Sequence, residues 1–162
     1  MKTWLFSCML LLSVTAKSQQ KFATSDFKQM KWLEGSWKGY AGSTLFYEGW
    51  RVVNDSVMVN FAIEIKNSDT IIRESSALLL RNGRITLGQI PSQWTASRIT
   101  PNELVLKNDT LSYSNVIIWL HTKDDHWFTI LENPKSTIYY DMTRDVALDK
   151  KLDDWIRQRR KR

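Results

Sequence analysis

Lys31-Trp32-Leu33-Glu34-Gly35-Ser36-Trp37-Lys38-Gly39-Tyr40, the stretch KWLEGSWKGY, is where the hydrophobic period of this chain changes. Ahead of it, Phe27, Met30 and Leu33 recur at helical spacing, which predicts a one- or two-turn helix over Asp26 to Leu33 with Thr24 or Ser25 placed to cap it. At Gly35 a left-handed backbone carries no Cβ penalty, so a helical turn can end there. Trp37 then opens a strand with the largest apolar side chain available, bulky enough to plug one end of a small barrel.

From Ser36 onward the period is two, and turn residues recur every eight to twelve or so positions, the spacing of an all-β sandwich or barrel. Strands are expected near 36–41, 44–53, 56–66, 70–81, 84–90, 93–99, 103–108, 115–121, 126–132 and 137–143. Among the turns between them, Asn82-Gly83 is the strongest signal, because both residues tolerate the positive φ of a type I′ hairpin. Short turns make consecutive strands antiparallel, so the expected fold is an up-and-down barrel of about eight to ten strands; a Greek-key sandwich would need a long crossover. On the third strand Val57, Val59, Phe61, Ile63 and Ile65 alternate with Met58, Asn60, Ala62 and Glu64, and the first set is expected to face inward. Val116 to Leu120 is apolar on both faces and Ser75 to Leu80 nearly so, which calls for cover on the outside. Leu148, Leu152, Trp155 and Ile156 supply it: they share one face of a C-terminal amphipathic helix that Asp145 can cap.

A chain of 162 residues with 43% hydrophobic content suits one domain with a real core. Lys2 and the apolar run Trp4 to Val14 read as a signal peptide, residues 1–18, too short to span a bilayer as a helix. Cleavage is expected after Ala16 or after Ser18, and the location is periplasmic or secreted. Leu5-Phe6-Ser7-Cys8 mimics a lipoprotein box, but the apolar stretch before Cys8 is shorter than the roughly 7 to 15 residues a signal core needs. With the single Cys8 lost in the leader, thiol nucleophiles, disulfides and thiolate metal sites are excluded from the mature chain. The barrel then occupies 19–144 and the helix with its basic tail 145–162. Lys2 and the tail residues Arg157, Arg159, Arg160, Lys161 and Arg162 account for the whole formal charge of +6. The body is neutral, which argues against a nucleic-acid footprint.

Gly35-Ser36-Trp37 at the mouth of the first strand resembles the opening of lipocalin and fatty-acid-binding barrels. The fuller pattern WLEGSW, with Tyr47, Glu48 and Trp50 on the next strand, resembles a family of secreted bacterial lipocalin-like domains of unknown function, over roughly residues 26 to 144. On that resemblance Glu74 matches a glutamate common on the fourth strand. Asn108 to Trp119 matches a segment in which the family carries asparagine-proline and then histidine-aspartate-phenylalanine-proline. Here Leu111 and Ser112 stand where the histidine and aspartate would be, so an activity resting on that pair would be lost.

The residues offer three kinds of chemistry. His121 and His126 bracket the turn Thr122 to Asp125 and would face each other in a regular hairpin, a polar loop rather than a metal site without a fixed third ligand. Glu48, between Phe46 and Trp50, and Glu74, on a face with Ile72, Leu78 and Leu80, are each able to point into the barrel, as a buried structural carboxylate or as half of an acid-base pair. Trp37, Trp50, Trp94, Trp119 and Trp127 all fall on strands, where they either line a pocket or fill the barrel solid.

The function expected first is non-enzymatic binding of a small hydrophobic ligand, lined by Trp50, Glu74, Trp94, Tyr113, Trp119 and Tyr139, with no cofactor and no metal. The alternative is a filled barrel that contacts an anionic membrane surface or acidic partner through Arg157, Arg159, Arg160, Lys161 and Arg162. A carboxylate-dependent hydrolase comes last, since no nucleophile elbow, phosphate loop or triad can be assembled.

Overall fold

The computed structural model describes residues 20–67, 69–111 and 115–161. The leader, the turn residue Ser68, Tyr113 and Arg162 thus lie outside the described residues. A short helix α1 (Thr24–Lys28) runs into a 3-10 turn (Gln29–Leu33). Among the described residues ten strands follow, β1 (Gly35–Ala41), β2 (Thr44–Asn54), β3 (Val57–Lys66), β4 (Asp69–Arg81), β5 (Arg84–Leu87), β6 (Trp94–Thr100), β7 (Glu103–Lys107), β8 (Val116–Lys123), β9 (His126–Asn133) and β10 (Ser136–Arg144), and then helix α2 (Val146–Arg159). The strands succeed one another in chain order round a closed barrel, every pair antiparallel, with β1 joined to β10. The expected antiparallel all-β barrel is the observed architecture, and its strands fall where the turn residues place them.

One backbone signal acts as the sequence suggests, and the other acts differently. Asn82 and Gly83 have φ of 53° and 73°, the paired positive angles of a type I′ hairpin. Gly35 does not end the helix, since the 3-10 turn closes on extended Glu34 and Gly35 is the first residue of β1; its φ of +146° still favours glycine, and a Cβ there would fall 2.1 Å from the Arg144 guanidinium carbon. The N-terminal helix starts earlier than expected. Its cap is Ala23, whose amide is satisfied by the Asp26 carboxylate at 2.7 Å, so neither Thr24 nor Ser25 serves as the cap.

The facing of β3 is the reverse of the expectation. Met58 and Asn60 are buried on the inner side, while Phe61 and Ile63 lie outside, packed with Ile72 against Leu148 and Leu152 of α2. Alternation separates two faces without saying which is the lumen, and a helix on the outer wall makes that face as apolar as the inner one. A bulge on β4 compounds the error. Phe61 pairs with Glu74 but Asn60 pairs with Ser76, so Ser75 is the extra residue and the strand changes face there. Ile72 and Glu74 point outward; Leu78 joins the inner core.

Because consecutive turns alternate ends, the barrel has two different ends. The α1 segment and the turns at 54–56, 82–83, 101–102 and 124–125 gather at one; the turns at 42–43 and 134–135 lie at the other. The first is closed. Phe27, Met30 and Leu33 bury their side chains against it, and the Trp37 indole N–H donates to the Leu33 carbonyl at 2.8 Å. Edge-to-face contacts join Trp37 to Trp127, Trp127 to Trp119 and Trp119 to Trp50, with centroids 5.9, 5.6 and 5.3 Å apart.

Helix α2 is clasped to the closed end by one carboxylate. Asp145 caps it through the Leu148 amide as expected, and Asp149 then accepts from the Ser36 amide at 2.7 Å. Asp149 also takes a forked pair of bonds from Arg144, at 2.8 and 3.1 Å, and one from Arg51 at 3.2 Å. One side chain thereby ties α2 to β1, β2 and β10.

Candidate functional site

Above the tryptophan plug, toward the open end, the barrel interior leaves a cavity of about 330 Å³. Its wall is built by β1, β2, β8, β9 and β10. Phe46 and Tyr140 meet edge to face at 5.5 Å on one side, and Trp119 and Trp127 form the floor. Ile117, Leu131 and Met142 supply aliphatic surface, Ala41 stands at the mouth, and Thr129 offers a hydroxyl. Gly39 makes the packing possible, since a Cβ there would meet the Met142 sulfur at 2.5 Å and the Phe46 ring at 2.9 Å.

Among the described residues, the one acid on this wall is Glu48. Its neighbours Phe46 and Trp50 share its inward face on β2, as their spacing implies. The Trp50 indole N–H donates to one carboxylate oxygen at 3.2 Å and the Asn60 amide to the other at 3.4 Å. Burial pushes the Glu48 pKa up, and these two neutral donors only partly oppose it. Among the described residues no lysine, arginine or histidine lines the cavity or pairs with Glu48. What surface Glu48 keeps opens on the cavity.

Of the residues expected to line a ligand site, Trp119 does. Trp50 is buried one layer deeper and reaches the cavity only through Glu48. Trp94 packs into the core beside Leu87, away from the cavity wall. Glu74 is not interior: the Ser75 bulge sends it to the exposed outer face, beside Phe61 and Trp155. Tyr139 is 66% exposed and points out, whereas its neighbour Tyr140 points in. Tyr113 lies outside the described residues. The signal for Tyr140 is in the sequence, because Ile138, Tyr140 and Met142 form an apolar row while Thr137, Asp141 and Thr143 form a polar one.

The histidines part company as well. A bulge between His121 and Lys123 puts His121 opposite Trp127 and His126 opposite Lys123 and Thr143. His121 stacks on Trp32 with centroids 5.1 Å apart, while His126 meets Asp141 at 2.5 Å on the outer wall. They do not share a face, and among the described residues no three potential ligands cluster for a metal. A larger cleft of about 460 Å³ at the closed end is lined by Lys31, Arg51, Arg144, Asp149 and Asp153, most of whose charges already pair with each other. It reads as the seam beneath α2.

Fold and site together define a closed antiparallel β-barrel with a plugged end and an aromatic cavity at the other. Comparison with protein-family models, with curated proteins and with solved structures returned no match.

Proposed function

We propose that this chain is an exported, lipocalin-like carrier that holds a small, largely apolar ligand in the open half of its barrel without transforming it. The cavity carries the reading: about 330 Å³ is at the small end of ligand sites, and its mix of aromatic and aliphatic walls with few polar groups is the usual composition. A hydrolase built on two interior carboxylates has no support, because Glu48 and Glu74 lie on opposite sides of the barrel wall. The filled-barrel reading fits only the closed half. Its basic tail is partly engaged, with Arg159 over the Trp155 ring at 4.5 Å and Arg157 paired to Asp154.

The test is a fluorescence titration with a neutral aromatic probe, 2-phenylethanol, read by the cavity tryptophans. The expected result is saturable quenching in the wild type and its loss in Ala41→Trp, which fills the mouth from an exposed position. Quenching that survives this substitution would place the probe elsewhere and remove the support for a lumen carrier.

A further inference from the structure

We propose that the ligand of this cavity is cationic, a small amine whose ammonium sits between the Glu48 carboxylate and the surrounding aromatic rings. The inference deepens the carrier reading and rests on it. Three observations converge. Both Glu48 oxygens accept hydrogen bonds, from Trp50 at 3.2 Å and Asn60 at 3.4 Å, and neither is used as a donor, a pattern that an ionised carboxylate satisfies. Yet the described residues bring no positive charge to it, so no side chain offsets the burial that raises its pKa. An interior carboxylate is normally paired, and no described side chain pairs with Glu48 on the side that faces the cavity.

The rings state which partner fits. Phe46, Trp119, Trp127 and Tyr140 line the same space. Ring quadrupoles attract a cation, most strongly where water is excluded, and attract a neutral head group far less. A fatty acid or other carboxylate is the wrong ligand: it would bring a second negative charge beside Glu48 with no lysine or arginine among the described lining residues to meet it. The remaining volume suits one ring or a short chain behind the ammonium. Other polar positions are available for a hydroxyl on such a ligand, since Thr129 lines the wall and the buried Trp127 indole N–H has no acceptor among the described residues.

Three probes of one shape decide it: 2-phenylethylamine, 2-phenylethanol and 3-phenylpropionate, each titrated by calorimetry at pH 7 against the wild type and Glu48→Gln. The amine is expected to bind about tenfold or more tighter than the alcohol, and the carboxylate weakest. In Glu48→Gln, checked for folding by urea denaturation, the amine's advantage over the alcohol is expected to fall by about fivefold or more, leaving only the share that the rings supply. Binding of the alcohol with no preference for the amine, or a preference undiminished in Glu48→Gln, overturns the cationic ligand and leaves the carrier reading standing. No saturable binding of any probe overturns both.

Discussion

Glu48 shows how far a single residue can be read before its surroundings are known. Its neighbours at two-residue spacing place it inward, and the structure puts it there. Glu74 has equally apolar neighbours and faces out, because an extra residue at Ser75 interrupts the period and nothing in the residue types announces it. Burial of Glu48 has a thermodynamic sign that can be measured. Its folded-state pKa is raised, so the native state holds the proton more tightly than the unfolded chain. Stability from this residue is greatest below the ordinary carboxylate range and is lost as pH rises through the raised value. Glu48→Gln removes that loss. Urea denaturation at pH 4.5 and pH 8 is expected to show the glutamine variant gaining on the wild type at the higher pH. A gap that stays constant, or moves the other way, would mean that the carboxylate is already compensated in the folded barrel.

At the scale of elements, the turns were the most legible feature and the facing of strands the least. Asn82-Gly83 carries its geometry in its residue types, whereas Phe61 and Ile63 gave no hint that their apolar face lies outside. Only the C-terminal stripe of Leu148, Leu152, Trp155 and Ile156 could have shown it, by demanding an apolar wall to rest on. Asp149 holds that helix in place. Burial alone would raise its pKa, but hydrogen bonds from Arg144 and the Ser36 amide, with the charges of Arg144 and Arg51, outweigh burial and hold it below the usual range. The sign is opposite to that of Glu48: the stabilisation is present above the ordinary carboxylate range and lost as pH falls through it toward the lowered value. Asp149→Ala leaves two arginines and the Ser36 amide without their acceptor. It is expected to cost about 2–3 kcal/mol at pH 7, between the values for exposed and buried pairs, and the deficit should shrink in acid. An alanine variant as stable as the wild type at pH 7 would show that apolar packing alone seats the helix.

The whole molecule divides its interior between the two uses that its tryptophans suggest, packing and lining, at opposite ends of one barrel. The sequence supplies the aromatic inventory but not the division, which depends on which rings meet across strands distant in the chain. Trp37 and Trp127 are in edge contact although ninety residues separate them, a pairing set by closure of β1 on β10. This division predicts that stability and binding will separate along the barrel axis. Trp37 is fully buried, bonded to the Leu33 carbonyl and packed on Trp127, so Trp37→Ala is expected to cost about 3–5 kcal/mol. Ala41 is exposed at the other end of the same strand, so Ala41→Trp is expected to change stability by no more than about 1 kcal/mol while abolishing probe binding. The two variants, compared by urea denaturation and by titration, measure the halves independently. If filling the mouth destabilised the barrel as much as emptying the plug, the cavity would be part of the structural core, its aromatic rings already committed to one another, with no room held open for a ligand.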